Sequence, residues 1–198
     1  MYPWRRHFCG GHPMIYRWKN IVKNSVPLLT ICIVIEIMAG QILQGNQKQL
    51  LILPILLVSI PVINGVGGNI GSILGARLAS GLHVGYIEYS IRDKNMHKNL
   101  AVILLIGTVA YAILAVLIYY ISYLRDIEMD INILNFISIV LGSGVLLIIT
   151  TSIVSVITAF LSFKKGLDPD DMVAPVVTTI GDTMGIIFLF LLIEVVGI

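Results

Sequence analysis

Charged residues are scarce in this chain. Only 12% of its 198 residues are Asp, Glu, Lys or Arg, while 57% are hydrophobic, and the mean hydropathy is +0.94. A soluble domain carries about 25% charged residues and lacks repeated apolar runs of about 20 residues. The composition therefore excludes a soluble domain and indicates an all-α, polytopic membrane protein that is surrounded by lipid.

Several kinds of functional site are also missing. The two cysteines, Cys9 and Cys32, are too few for a disulfide framework or a four-ligand zinc site, and we interpret Cys32 as a packing residue. The tail segment from His7 to His12 looks metal-like but falls short of a zinc pattern. No hydrolase motif or phosphate-binding loop occurs. We expect no enzymatic activity, no cofactor, no ATP-driven pumping and no nucleic-acid partner.

What the chain does contain is five long apolar segments. A basic tail at residues 1–24 precedes a membrane domain that we place at residues 25–198. The spans are expected at 25–43, 50–82, 100–124, 133–163 and 173–198. A helix over the second span would be about 50 Å long against a hydrocarbon core of about 30 Å. We therefore expect this span to tilt, break or project from the membrane.

Lys and Arg are concentrated on one side of this topology. The tail and the loops after the second and fourth spans hold ten of them, and the two opposite loops hold two. The positive-inside rule then predicts a cytoplasmic N-terminus, an external C-terminus and multi-pass insertion in the cell membrane. In this arrangement the second and fifth spans run in opposite directions.

An aspartate interrupts the fifth span. Asp182 follows Val173 by nine residues, at a depth where a carboxylate is costly unless it faces a wet cavity, a partner or a cation. Helical spacing places Thr178 and Gly185 on the same face. Oxygen ligands in a narrow hydrated lumen suit a hard cation such as magnesium. The alternative is a carboxyl group that serves only helix packing.

A glycine-rich segment of the second span, residues 61–71, aligns without gaps with residues 175–185. Identical pairs are Pro61/Pro175, Val62/Val176, Gly67/Gly181 and Gly71/Gly185, and polar pairs are Asn64/Thr178 and Asn69/Thr183. Paired Pro/Gly-interrupted segments indicate a transport site, and opposite directions are typical of an inverted repeat. The glycines indicate close helix packing, a locally opened helix whose carbonyls join Asn64 and Asn69 as ligands, or both.

The other acidic residues have two interpretations each. Glu36 lies near the middle of the first span, as a second pathway carboxylate or a structural hydrogen-bond acceptor. An acidic run from Asp168 to Asp171 precedes the fifth span, as a helix cap or a cation-collecting mouth. The run from Asp126 to Asp130 either attracts cations on the outer side or is an ordinary solvated loop.

Together these motifs resemble the membrane domain of the MgtE magnesium channels and of solute carrier family 41, over residues 25–198. The most specific pieces are Gly68-Asn69-x-Gly71 and Asp168-Pro169 followed by Pro175, Thr178, Thr179 and Asp182. The resemblance implies two copies of a five-helix unit around one pore for divalent cations, chiefly magnesium. It implies a lining of second and fifth helices, Asp182 as central ligand with Asn69 beside it, and further roles for Glu36 and Asp168.

Two departures from that family bear on mechanism. About 24 residues precede the first span, so we expect no gating by CBS modules within this chain and leave regulation to a separate, unidentified partner. The run Asn64-Gly-Val-Gly-Gly is more glycine-rich than the bacterial pattern and closer to half-length prokaryotic relatives of the carrier family. Channel and exchanger therefore both remain open.

These observations predict a homodimer that passes magnesium or a similar divalent cation. The candidate metal ligands are Asp182, Asn69, Glu36, Asp168, Thr178 and Asn64. A shared site requires Asn69 and Asp182 to lie within about 15 Å of each other in a core about 30 Å thick. The alternatives are a proton- or sodium-coupled exchanger that uses Glu36 and Asp182, and a membrane scaffold that transports nothing.

Overall fold

The computed structural model describes residues 18–52, 54–88, 90, 93–127 and 131–197, and all regular structure in these ranges is helical. The helices are α1 (Trp18–Gly45), α2 (Gln47–Ile52), α3 (Pro54–Val84), α4 (Lys94–Leu124), α5 (Ile133–Lys164) and α6 (Pro169–Val196). All except α2 are long and apolar enough to cross a membrane. The all-α, five-span prediction is confirmed, and the protein is a multi-pass membrane protein.

The first helix begins inside the segment that we expected to be a tail. α1 starts at Trp18, and its membrane-compatible part is Ser25–Gly45. Some residues considered in the sequence lie outside the described ranges, so their predicted roles stay predictions: His7, Cys9, His12, Glu128 and Asp130.

The corner between α1 and α3 differs from the expectation. A polar turn was expected at 44–49, but α1 reaches Gly45 and α2 begins at Gln47, so only Asn46 separates the two helices. The second span consequently begins at Pro54, four residues later than expected. Proline is favoured at the first helical position because its missing N–H would have no partner there.

Capping side chains fix the starts of α4 and α5. Asp93 Oδ1 accepts a hydrogen bond from the backbone N–H of Met96 at 2.7 Å, and Asn132 Oδ1 accepts one from that of Leu134 at 3.2 Å. These caps satisfy N–H groups that the helix ladder leaves open. With Asp93 as its cap, α4 begins at Lys94, six residues before the predicted third span.

The α3 and α6 helices cross in an antiparallel arrangement. Asn64 of α3 contacts Asp182 of α6, and Gly68 contacts Thr178, so rising numbers in α3 meet falling numbers in α6. This confirms the predicted opposite directions of the second and fifth spans. In the sequence alignment Asn64 corresponds to Thr178 and Gly68 to Asp182, so the two contacts are counterparts of each other, as in an inverted repeat.

The glycine-rich part of α3 forms a continuous helix. A Cβ atom at Gly71 would overlap with side chains of α5 and α6, and one at Gly75 would overlap with Val173. The close-packing interpretation is confirmed. The alternative of a locally opened helix is wrong for this structure, because the carbonyl groups remain inside a regular helix, where the ladder already uses them.

The α5 helix lies at the centre of the bundle, and α1 lies at its edge. α5 packs against α3, α4 and α6, whereas the long-helix neighbour of α1 is α6. α1 is the least buried of the five membrane-compatible helices. Its exposed apolar side chains, such as Ile31, Ile37 and Met38, therefore form a surface for lipid or for another protein.

Candidate metal site

The crossing of α3 and α6 places Asp182 beside Asn64. Asp182 is half-buried, and its backbone carbonyl accepts a hydrogen bond from Asn64 Nδ2 at 3.0 Å. Among the described residues, none donates a hydrogen bond to the Asp182 carboxylate or forms an ion pair with it. The carboxylate thus keeps all of its oxygen lone pairs for a ligand or for water.

Asn64 is buried in the contact between the two helices. Its side chain is 6% exposed, and its Oδ1 atom has no hydrogen-bond partner. That oxygen lies so close to Gly185 that a Cβ atom there would overlap with it. In this conformation Asn64 joins α3 to α6 through its Nδ2 group, and its oxygen is sealed from the outside of the bundle.

Asn69 lies on the exposed side of α3, opposite the side that packs against the other helices. Its side chain is exposed, whereas Gly67 and Gly71 are buried, and Asn69 lies about 160° around the helix from each of them. A Cβ atom at Gly181 would lie 3.6 Å from the Cα atom of Gly68. The Cα atoms of Asn69 and Asp182 are therefore within about 13 Å of each other, inside the limit that a shared site requires.

Glu36 reaches the same region from α1. Its Oε1 atom accepts a hydrogen bond from Thr179 Oγ1 at 3.1 Å, although the glutamate remains exposed. Thr179 is 2% exposed and lies three residues before Asp182. Glu36 is therefore a structural acceptor, and its exposed carboxylate also brings a second charge to this part of α6.

Thr178 contributes less directly than its position suggests. Its hydroxyl donates within α6, to the carbonyl oxygens of Ala174 at 2.9 Å and Pro175 at 3.1 Å. Its methyl group faces Gly68, where an added Cβ atom would lie 3.3 Å away. Thr178 packs the crossing, and of its hydroxyl only the two oxygen lone pairs are available to a cation, because the O–H group donates within α6.

Asp168 lies apart from this group. It directly precedes α6, and its backbone carbonyl accepts a hydrogen bond from the N–H of Asp171 at 3.3 Å. Asp168 and Asp182 are fourteen residues apart, which is about 21 Å along a helix. The structure therefore places Asp168 directly before the first residue of α6, in the position of a helix-start acid, and away from the central carboxylate.

The described part of one chain holds no group of three or more His, Cys, Asp or Glu side chains that could hold a metal ion. The central cluster is Asp182 and Glu36 with Thr179 and Asn64. Thr179 was missed as a site residue, although it directly follows Thr178 and precedes Asp182 by one helical turn. Cys32 is buried, with Sγ 3.8 Å from the carbonyl oxygen of Pro175, which confirms its packing role.

The comparisons with known proteins identify the family of this chain. A family model described as "MgtE: Divalent cation transporter" matches residues 60–192, more than half of the chain, including α6 up to and beyond Asp182. The chain belongs to the MgtE family of divalent cation transporters. The description of the family names divalent cation transport.

A curated relative supports the MgtE assignment. Solute carrier family 41 member 2 from Macaca fascicularis is 27% identical over 145 residues. The match covers 66% of this chain and 25% of the relative, so the chain spans about a quarter of that protein's length. No solved structure shows a significant match to this MgtE-family chain.

Proposed function

We propose that two copies of this chain form one pore that passes magnesium across the cell membrane, with Asp182 of each copy as a central ligand. The observation that carries the proposal is the half-buried Asp182 carboxylate, which no described residue pairs with. A carboxylate inside a membrane helix is stable only beside water, a partner or a cation. In a family of divalent cation transporters, the cation is the natural partner.

A second copy would complete the site. One chain brings a single Asp182, whose carboxylate accepts no hydrogen bond from the described residues, whereas Glu36 already accepts one from Thr179. A second copy would bring a second Asp182 carboxylate to the same ion. The outer face of α3 is not uniformly apolar. Apolar residues such as Val62 and Ile73 alternate there with small or polar ones: Gly65, Asn69, Ala76 and Ser80. Such residues typically line helix contacts or a wet lumen.

Magnesium is the ion that the available groups fit best. Carboxylate, amide and hydroxyl oxygens are hard ligands, and the described site contains no thiolate or imidazole that would favour a softer metal. Magnesium usually keeps several of its waters and binds one or two carboxylates. Two Asp182 carboxylates with the exposed Asn69 amides around a hydrated ion satisfy this requirement.

The orientation follows from the distribution of basic residues. Lys94 and Lys98 at the start of α4 and Lys164 and Lys165 at the end of α5 lie at the same end of the bundle as the start of α1. This end is the cytoplasmic one in our proposal. Lys48 belongs to α2 at the opposite end, which is then external.

The test is magnesium uptake into vesicles that contain the purified protein. Asp182→Asn should reduce uptake to background and still insert, because it removes a charge and keeps the side-chain shape. Glu194→Gln is the matched control, since it removes an exposed carboxylate from the same helix, far from the crossing. Uptake by Asp182→Asn at the wild-type rate would contradict the proposed pore.

The same vesicles separate a channel from a coupled exchanger and test the dimer. Uptake that is indifferent to imposed proton and sodium gradients indicates a channel, whereas dependence on either gradient indicates an exchanger that uses Glu36 and Asp182. Magnesium, manganese and cobalt should pass, and copper(I) should not. A species that is monomeric in native mass spectrometry and still transports after reconstitution would contradict the dimer.

A further inference from the structure

Two hydroxyl groups from neighbouring helices donate hydrogen bonds to the backbone of α3. Tyr111 Oη of α4 donates to the carbonyl oxygen of Ile63 at 2.6 Å, and Ser155 Oγ of α5 donates to that of Gly71 at 2.6 Å. Both donor side chains are 0% exposed. These contacts tie α3 to two different helices on its buried side.

The packing around Tyr111 is built for an aromatic ring. The ring lies against Gly144 of α5, where a Cβ atom would overlap with it, and its hydroxyl would lie 2.9 Å from a Cβ atom on Gly67. Because both positions are glycine, the Tyr111 hydroxyl has room to reach the α3 backbone.

The two hydrogen bonds are additional to those of the helix itself. A carbonyl oxygen has two lone pairs, and the ladder of a regular helix uses one of them. Removing either hydroxyl would therefore leave the α3 backbone paired within its own ladder. The hydroxyls instead fix the position of α3 along its axis, and its rotation about that axis, relative to α4 and α5. The contacts lie in an apolar setting, where no bulk water competes for the carbonyl groups.

The braced positions flank the residues that matter at the crossing. Ile63 and Gly71 are eight residues apart, about 12 Å along the helix, and Asn64 and Asn69 lie between them. This stretch contains Gly65, Gly67 and Gly68, so its contacts with neighbouring helices are made by the backbone and not by interlocking side chains. The two hydrogen bonds add a directional contact at each end of the stretch.

We propose that Tyr111 and Ser155 are positioning residues for ion passage, which hold the Asn64–Asn69 segment of α3 in register with Asp182 of α6. This inference rests on the proposed function for its consequence, because the ion site is the crossing that they align. The bracing itself is a property of the fold and is testable without transport.

The first measurement is the rate of disulfide formation between α3 and α6. In a background with Cys9→Ala and Cys32→Ala, the pair Gly68→Cys and Thr178→Cys is introduced, because a Cβ atom at position 68 would lie 3.7 Å from that of Thr178. That separation fits a disulfide. The rate is followed with a mild oxidant by the loss of thiols that react with a maleimide.

Tyr111→Phe and Ser155→Ala each remove one hydroxyl and keep the rest of the side chain. We expect each to slow disulfide formation on the order of fivefold, the factor that corresponds to one neutral hydrogen bond. The matched controls are Tyr119→Phe, on the same helix as Tyr111, and Ser152→Ala, which removes a buried hydroxyl of α5 that has no hydrogen-bond partner. Both controls should keep the original rate.

The second measurement is the magnesium concentration that gives half-maximal uptake, in chains that retain Gly68 and Thr178. Tyr111→Phe and Ser155→Ala should raise it severalfold, and the two controls should leave it unchanged. An unchanged disulfide rate would overturn the bracing, and a slowed rate with unchanged half-saturation would overturn the positioning role. If Tyr111→Phe fails to fold, Ser155→Ala decides the question, because it removes the other hydrogen bond, which comes from a different helix.

The two measurements also separate this inference from the proposed function. If the unmodified protein takes up no magnesium, the proposed function fails, while the disulfide rates still decide whether the hydroxyl groups brace α3. If uptake depends on Asp182 and the disulfide rates are the same in all variants, the proposed function stands and this inference is wrong.

Discussion

The two similar segments, residues 61–71 of α3 and 175–185 of α6, share a sequence pattern but have different surroundings. One side of the α3 segment packs against α4, α5 and α6, and its Ile63 and Gly71 carbonyl oxygens accept hydrogen bonds from Tyr111 and Ser155. The other side of this segment is exposed, whereas no residue of the α6 segment is. The α6 segment is bordered on one side by the sparsely packed α1 and carries the unpaired Asp182 carboxylate. In our proposal the α3 segment is held in register by these two hydrogen bonds, and the α6 segment presents the charge.

The difference begins at single aligned positions. Gly68 of α3 corresponds to Asp182 of α6, and Gly68 is buried against Thr178, where a carboxylate would have no space. Conversely, Asn64 contacts Asp182 through the backbone carbonyl oxygen of the aspartate, so this hydrogen bond does not use the carboxylate. A repeated helix pair can therefore develop two roles by changing which position carries a side chain and which remains glycine.

The largest effect on stability is expected at another aligned pair, Gly67 and Gly181. A Cβ atom at Gly67 would overlap with Leu147 and press on Tyr111, whereas one at Gly181 would have its nearest neighbour at 3.5 Å, an ordinary contact. Gly67→Ala should lower the free energy of unfolding by about 1–3 kcal/mol, as overpacked cores do.

Gly181→Ala is the matched substitution, and it should leave stability unchanged or slightly raise it, since alanine favours a helix. The measurement is unfolding of each purified variant in detergent micelles. Equal destabilisation by the two substitutions would show that the segments are packed alike and would remove the basis of the comparison.

A smaller effect is expected at Asn64 and its counterpart Thr178. Asn64→Ala removes the hydrogen bond to the Asp182 carbonyl and leaves a gap at the crossing, so it should cost about 1–2 kcal/mol of unfolding free energy. Thr178→Ala should cost less, because the Thr178 hydroxyl bonds only within its own helix. Thermal unfolding of both variants decides the order, and a larger loss for Thr178→Ala would contradict the interhelical role of Asn64.

At Asn69 and its counterpart Thr183, the expected difference is in magnesium uptake and not in stability. Asn69 is exposed, whereas its counterpart Thr183 donates its hydroxyl to the Thr179 carbonyl at 3.0 Å within α6. Asn69→Ala should raise the magnesium concentration for half-maximal uptake severalfold, and Thr183→Ala should change it little. Identical uptake curves for wild type and Asn69→Ala would place Asn69 outside the ion pathway.

Much of this fold could be predicted from the sequence because membrane insertion leaves few choices. The apolar run at 133–163 predicted α5 to within one residue, and the basic loops predicted the antiparallel crossing. Asp182 was identifiable because a lone acid in an apolar span is rare. Which side of a helix becomes buried was not predictable, since Asn64 and Asn69 lie in one segment and only tertiary contacts separate them.

Two further features, the state of the glycine-rich helix and the role of Thr179, also depend on tertiary contacts that the sequence does not show. Glycines serve equally for a hinge and for close packing, so the opened helix could not be excluded until the neighbours of α3 were known. The hydrogen bond between Thr179 and Glu36 joins residues 143 positions apart. Local spacing carries no information about such a contact, although two adjacent threonines one turn before an intramembrane acid are a signal worth testing in other sequences.

The smallest effect is expected outside both segments, at Asp93. Its carboxylate caps α4, and the hydrogen bond from the Met96 N–H, with further backbone donors, holds its pKa below the ordinary value of 3.8. Because the folded pKa is depressed, the cap stabilises the protein fully above the ordinary pKa and is lost as pH falls through the folded pKa. Asp93→Ala should lower the melting temperature slightly at pH 7 and leave uptake unchanged. The melting temperatures of wild type and variant should converge only at strongly acidic pH, and a difference that persists there would assign the effect to something other than the charged cap.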